Sequence, residues 1–495
     1  MIVSAAAMRA AEESAFASGS SAADLMEVAG EGISNAVSQF FPKPGRFRAV
    51  FGKGHNGGDV LVAARHLAAR GWFIETSGPF PVEQLTPLTR THWLRLREVM
   101  SASGPRAAFP ACLVVGDGLL GTGARGAPSG RVAEAIADVQ KAREQEGGFV
   151  VAADLPSGLD PDLGTCSGSC VTADLTVTLG APKAGLLADG ALNFVGRLAV
   201  VELPGVAFSE GDPWRVTSPA LLRQILRPRP FDCHKGLCGR IAVLAGSAEY
   251  PGAARIASAA AVRGGGGLVS LWVPEALAAN LAGSCIPEVM IRPCDSLRDV
   301  LDASVDVIAI GPGLGRTRDR DVLAIVREAP VPVIVDADAL NAVSTMPSVL
   351  RGTAGPRLLT PHPGEMERLF PQGNRTRRQW AEDFVGQYPG TALLLKGGRS
   401  IILEHGRPGY FNPTGNPGMA TGGMGDALTG VTAALVGQYP GADPSELLAA
   451  AAWLCGRSAE LAVFEAGLSP ESLAATDVIA CLGAAFQSLR RPASC

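Results

Sequence analysis

The stretch Asn416-Pro417-Gly418-Met419-Ala420-Thr421-Gly422-Gly423-Met424-Gly425-Asp426-Ala427-Leu428-Thr429-Gly430 joins a glycine run, an aspartate and the start of an apolar segment. Unpaired backbone N–H groups at a helix start attract anions, and a residue without a side chain lets a phosphate come close to them. Asp426 itself repels phosphate. Its place beside Gly425 makes sense for a base that takes the proton from a hydroxyl as its oxygen attacks phosphorus. The competing reading is a glycine-rich turn closed by an aspartate cap. Three more stretches follow apolar runs in the same half: Lys396-Gly397-Gly398-Arg399-Ser400, Gly311-Pro312-Gly313-Leu314-Gly315 and Thr360-Pro361-His362-Pro363-Gly364-Glu365. His362, fixed between two prolines in a loop, reads as a ligand contact rather than a structural histidine. Pro251-Gly252-Ala253-Ala254-Arg255 opens a helix with room for a pyrophosphate. There is no G-x-x-x-x-G-K-[ST], so the nucleotide loop of Walker type is excluded.

The other half carries a second constellation. Gly52-Lys53-Gly54-His55-Asn56-Gly57-Gly58-Asp59 follows an apolar run and opens a helix. It matches G-x-G-x-x-G, as does 121–126, so the match alone is weak. Val114-Val115-Gly116-Asp117-Gly118-Leu119-Leu120-Gly121-Thr122-Gly123 sets a carboxylate just past a strand and adds another anion-friendly loop. Val151-Ala152-Ala153-Asp154-Leu155-Pro156-Ser157-Gly158 repeats the arrangement. Asn56, Asp117 and Ser157 are all oxygen donors, which suits a hard monovalent or divalent cation. Asp154, a carboxylate at a buried strand end, suits proton transfer.

These residues need elements to hold them. Strands are expected at 47–51, 112–115, 149–153, 175–179 and 197–201, with helices such as 59–69 and 131–145 between them. A proline-rich linker is expected over 203–230. The same grammar restarts at 240–244 and continues through 268–273, 305–310, 331–335, 357–359 and 392–395, before helical patterns from 422 to 489. Strand–helix alternation reads as α/β with parallel sheets, and ligands then bind at the carboxyl ends of the strands. At roughly 100–200 residues per domain, 495 residues make at least two. With 47% hydrophobic and 18% charged residues, large cores are expected and long disorder is not. A net charge of −4 argues against a general nucleic-acid or membrane-surface binder. Ten cysteines without metal-ligand rhythm read as reduced thiols. Glu12 and Glu13 interrupt any signal-like segment, and no uncharged apolar run reaches the roughly 18 residues of a membrane span, so a cytoplasmic protein is expected. Ala-rich helices at 447–459 and 476–489 offer surface between subunits, and a homo-oligomer is expected.

The GKGHNGGD, DGLLGTG and DLPSG motifs, with Met8-Arg9 and Leu25-Met26-Glu27-Val28-Ala29-Gly30, resemble the NAD(P)H-hydrate epimerase family over roughly residues 1–210. The resemblance implies a Rossmann-like doubly wound domain, taken as 1–212, and a potassium ion held by Asn56, Asp117 and Ser157. It implies hydrated dinucleotide bound by His55, Asn56, Gly57, Gly58 and Asp59, by Gly121, Thr122, Gly123, Ala124, Arg125, Gly126 and Ala127, and by Asp154 as the catalytic acid–base. The family usually has Asn where this chain has His55, and Gly where it has Val60. GPGLG, TPHPGE, KGG and NPGMATGGMGDALTG resemble the ribokinase-like superfamily, and within it the ADP/ATP-dependent NAD(P)H-hydrate dehydratases. That resemblance implies a ribokinase-like α/β domain, taken as 213–495. It implies that Lys396, Gly397, Gly398, Arg399, Ser400 and Gly425 bind ADP or ATP with Mg2+, and that Ala254, Gly315, His362 and the catalytic Asp426 face the substrate. The implied activity is repair of hydrated NADH and NADPH (NADHX and NADPHX) by epimerisation and nucleotide-dependent dehydration, and similarity to fused enzymes favours ADP. The rival is a ribokinase-like small-molecule kinase with an N-terminal binding module. Asn56, Asp117, Asp154 and Ser157 are all present, which favours catalysis over mere binding.

Overall fold

The computed structural model describes residues 1–102 and 112–490, in two compact units that divide between Trp214 and Arg215. The first unit is built on six strands: β1 (Arg46–Phe51), β2 (Phe73–Ser77), β3 (Leu113–Gly118), β4 (Phe149–Ala153), β5 (Leu175–Leu179) and β6 (Arg197–Val201). They form one parallel sheet in the order β2-β1-β3-β4-β5-β6. β3 and β5 are buried at every position, as parallel strands covered on both faces must be, and this accounts for their near-continuous apolar runs. The helix Gly130–Gln145 lays Ile136, Val139 and Ala142 against Leu113, Val115 and Val150.

The second unit holds β7 (Arg215–Val216), β8 (Arg240–Leu244), β9 (Leu268–Pro274), β10 (Val289–Cys294), β11 (Val307–Ile310), β12 (Val333–Val335), β13 (Arg357–Leu359), β14 (Thr391–Leu395), β15 (Ile401–Glu404) and β16 (Tyr410–Phe411). The order is β10-β9-β8-β11-β12-β13-β14-β15-β16-β7, parallel from β10 to β14 and antiparallel at the β14–β15 and β15–β16 pairs. Helices Pro251–Arg263 and Met424–Gln438 cross closely because Gly430 has no side chain. A Cβ there would lie 2.1 Å from the Ala257 carbonyl oxygen. The helix Pro444–Phe464 is long and apolar enough to cross a bilayer, but 89% of its most apolar window is buried within the unit.

Several expectations change. The half of the linker beyond Arg215 belongs to the second unit: β7 closes its sheet, and Leu222 of the helix Pro219–Ile225 enters its core. Of the two Ala-rich helices, Leu447–Ala459 is buried in that same core almost without interruption, while the helix Ala475–Arg490 buries one face there, with Val478, Ile479, Leu482 and Ala485, and exposes the other. Strands β2, β7, β10, β15 and β16 join those expected. The helix expected from Asp59 begins at His55, so Asp59 is not its cap, and β3 runs through Asp117 instead of ending before it.

Both sheets have one point where the chain leaves one side and resumes on the other: between β1 and β3, and between β8 and β11. Neighbouring loops part there, leaving a crevice outside the carboxyl ends of the strands.

Candidate active sites

In the first unit, the loops after β1, β3 and β4 meet at that crevice. Gly57 is tucked beneath Gly52, whose carbonyl oxygen would lie 2.2 Å from a Cβ at 57, and this close fit lets the helix start directly under the strand end. Gly57 and Gly58 therefore serve packing, while His55 is exposed and Asn56 and Asp59 are buried. Asn56 Nδ2 donates to the Leu120 carbonyl at 2.8 Å, and the Leu120 N–H donates to Ser157 Oγ at 2.9 Å. Ser157 Oγ donates to Asp117 Oδ1 at 2.7 Å, and the Ser157 N–H to Oδ2 at 2.8 Å. The three expected ion ligands thus surround one loop. Burial pushes the Asp117 carboxyl up, opposed by its bonds from Ser157 and Leu119. Asn56 Oδ1 is buried without a hydrogen-bond partner. A buried acceptor left empty is costly, and a cation relieves that cost. One carboxylate, one amide oxygen and one hydroxyl fit an ion of low charge; among the described residues no cluster of three His, Cys, Asp or Glu is placed to hold a metal.

Asp154 stands at the end of β4 with φ 63°. It and Ala337 (φ 47°) are the two non-glycine residues in the left-handed region among those described, one at each crevice. Such strain persists where surrounding structure enforces it, often at functional sites. The enforcing contacts come from residues that sequence reading missed. Lys183 is 0% exposed and donates to Asp154 Oδ1. Asp154 Oδ1 also accepts from the Leu179 N–H at 3.1 Å. Glu12, on the helix Ala5–Ala17, faces the same carboxylate. Burial, then the charges of Asp154 and Glu12, hold the Asp59 carboxyl well above the ordinary range; burial and Asp154 raise Glu12 as well. Gly121, Ala124, Arg125 and Gly126 line a groove of about 270 Å³ with Leu155 and Asp160. Thr122 enters through its carbonyl, which accepts from Arg125 Nη1 at 3.0 Å, and Gly123 and Ala127 lie exposed on the same loop.

In the second unit, Gly423 (φ 87°) turns the chain into the helix Met424–Gln438, with no side-chain cap on its first amides. Asp426 sits in that first turn. Burial, then Asp336, with a smaller push from Asp338 and against the pull of Lys396, raises its carboxyl to about 6. Asp336, at the end of β12 and 1% exposed, accepts from Lys396 Nζ at 2.7 Å and from Thr429 Oγ1 at 2.9 Å. A Cβ on Gly425 would come within 3.3 Å of both Asp336 Oδ2 and Lys396 Nζ, so a side chain there would press on this pair. Lys396 Nζ also lies 3.8 Å from Glu365, and the Gly315 N–H donates to Asp338 at 2.9 Å. The carboxyl ends of β11, β12, β13 and β14 thus deliver Gly315, Asp336, Glu365 and Lys396 to one place.

Three expected residues need qualification. Ala254 is 0% exposed, its methyl turned to Gly246 in the core, so its side chain is not presented to a ligand. His362 caps the helix Pro363–Leu369: its Nδ1 accepts from the Gly364 N–H at 3.0 Å, while Glu365 bonds back to the His362 N–H at 2.8 Å. The ring is otherwise exposed, with Nε2 3.4 Å from Glu365. Arg399 is buried, while Gly397 and Gly398 are exposed on the β14–β15 turn and Ser400 is half-buried. A cavity of about 470 Å³, lined by Asp306, Pro332, Pro356 and Tyr439, opens at the amino edge of the same sheet, away from these groups.

Fold and sites together define a two-domain α/β enzyme, Rossmann-like in its first unit and ribokinase-like in its second, with buried carboxylates at the carboxyl ends of the strands in each sheet. The chain belongs to the bifunctional NAD(P)H-hydrate repair enzyme family. It is 38% identical over 480 residues to the bifunctional NAD(P)H-hydrate repair enzyme of Moorella thermoacetica, covering 90% of this chain and 88% of that one. The Escherichia coli K12 enzyme of the same description is 33% identical over 488 residues, covering 96% and 91%. Residues 241–481 match the family described as NAD(P)H-hydrate dehydratase, and 22–185 the family described as YjeF-related protein N-terminus. A ribokinase-like superfamily protein of Enterococcus faecalis V583 superposes with TM-score 0.50 at 26% identity, covering 58% of this chain and all of the other.

Proposed function

We propose that the chain repairs hydrated NADH and NADPH in two coupled steps. The first unit interconverts the R and S hydrates, and the second dehydrates the S form at the expense of ADP or ATP with Mg2+. The observation that carries the reading is the placement of Asp426 in the first turn of the uncapped helix Met424–Gln438, where burial and Asp336, against the pull of Lys396, raise its carboxyl to about 6.

The hydroxyl at ring carbon 6 is a poor leaving group. Asp426 takes its proton as the oxygen attacks the terminal phosphorus of the nucleotide, whose shortened remainder departs. The first-turn amides and Lys396 hold the negative charge that develops on the phosphoryl oxygens. Phosphate then leaves carbon 6, a proton leaves carbon 5, and the ring double bond returns. In the first unit, Asp154 gives the proton with which the carbon 6 hydroxyl departs as water and takes a proton back as water adds from the other face, beside the buried Asp59, whose carboxyl is raised by burial and by the Asp154 charge. Asn56 Oδ1, Asp117 and Ser157 would hold a potassium ion, which supplies a fixed positive charge near the dinucleotide phosphates. Cytoplasmic action fits the nine described cysteines, all free thiols.

The test is incubation of the full chain with mixed-epimer hydrated NADH, with and without ADP or ATP. Complete, nucleotide-dependent return of NADH absorbance with equimolar phosphate release is expected. Accumulation of a phosphorylated alcohol would instead mark a small-molecule kinase.

A further inference from the structure

We infer that Lys183 is a positioning residue of the epimerisation site, fixing the Asp154 carboxylate in the orientation that proton transfer needs. The inference rests on the reading of Asp154 as the acid–base.

Lys183 lies in the turn after β5 and is fully enclosed. Its ammonium donates to three oxygens: Asp154 Oδ1, Thr178 Oγ1 at 3.2 Å and the Leu179 carbonyl at 2.7 Å. That uses every proton it has. A lysine enclosed in protein is retained only when paired, because its charge is otherwise expensive to desolvate. The pairing is one-sided. Oδ1 of Asp154 takes Lys183, the Leu179 N–H and Thr178 Oγ1 at 3.3 Å. Oδ2 has no hydrogen-bond partner among the described residues, so one oxygen is clamped and the other is left for a ligand. The backbone supports the same orientation: the Asp154 N–H donates to the Val177 carbonyl at 2.8 Å, with the residue in the left-handed region that aspartate tolerates better than most side chains. Four contacts from β5 and the turn after it therefore aim one strained side chain. A pair meant only for stability would not need one carboxylate oxygen left without a partner, in a site where the carboxyls of Asp59 and Glu12 also respond to the Asp154 charge.

The decisive experiment compares Lys183→Met, Asp154→Asn and the double variant of the full chain, using pure R hydrate for epimerisation and pure S hydrate for dehydration. Methionine keeps the unbranched stem and removes the charge. Lys183→Met is expected to lower kcat for epimerisation about 100-fold, the scale of a misplaced catalytic group, with KM nearly unchanged. Dehydration of S hydrate should stay at the parent rate, since it belongs to the other unit and reports that the chain is folded. In the Asp154→Asn background, Lys183→Met should cause no further loss, because a residue acting through Asp154 has nothing left to position. Parent-like epimerisation by Lys183→Met, or losses that multiply in the double variant, overturns the inference and leaves the Asp154 reading intact. Parent-like epimerisation by Asp154→Asn overturns both. Should Lys183→Met fail to fold, Thr178→Val decides: it removes the hydroxyl bridging the pair, and the same fall in kcat without additivity is expected.

Discussion

Asp426 works as a base only when ionised. Its carboxyl is raised to about 6 by burial and by Asp336, so the fraction able to accept a proton grows as pH rises through that value and shrinks below it. The account predicts that kcat/KM for dehydration falls tenfold per pH unit below about pH 6, which a pH–rate profile measures. Asp336→Asn removes one of the negative charges responsible, so the acid limb should move to lower pH even as the loss of its contact to Lys396 reduces the plateau. An unmoved limb would mean that Asp336 does not face Asp426 in the working enzyme. Legibility at this scale was uneven. Asp117 and Asp154 were found because each carboxylate comes at or just past the end of an apolar run. Asp336 carries the same signal after Val333–Val335, so that rule, applied evenly, would have found it. Lys183 gives no such signal. Its importance comes from being enclosed with Asp154, 29 residues away in sequence, and single-sequence patterns do not report such contacts.

At the scale of elements, the glycines do two different jobs. Gly425 keeps a side chain from the Lys396–Asp336 pair, whereas Gly430 lets two helices touch. Gly430→Ala sets a methyl against the Ala257 carbonyl, and the helices must part. A loss of about 1–3 kcal/mol in urea unfolding is expected, as for other overpacked cores. A variant as stable as the parent would show that the helices are not in such close contact. Most central strands were readable because parallel strands buried on both faces are continuous apolar runs. β10 was not: its Val289–Cys294 run contains arginine and proline, which an edge strand tolerates. The helix at His55 starts four residues before the expected one because glycines, poor helix formers, are accepted there for packing against Gly52 and Met26.

At the scale of the molecule, two activities lie in two units, each with its own switch point and strained carboxyl-end residue. The two halves were legible because Arg46–Phe51 in the first and Arg240–Leu244 in the second are each followed by a glycine-containing turn and a helix. The boundary was less so: proline suggested a linker, but β7 and the helix after it had been drawn into the second sheet and core. Separate units also predict separate ion requirements. If the first unit holds the proposed cation at Asn56, Asp117 and Ser157, replacing potassium in the buffer with tetramethylammonium, or Ser157→Ala, should slow epimerisation, while a parent-like rate in both would remove the cation from the account.

The most direct test of the central claim is stoichiometric: NADH regenerated and phosphate released from pure S hydrate with ADP or ATP, by the parent chain and by Asp426→Asn. The account predicts one NADH per phosphate for the parent. For the variant it predicts loss of both products while R and S hydrates still interconvert. Dehydration at the parent rate by Asp426→Asn would contradict it.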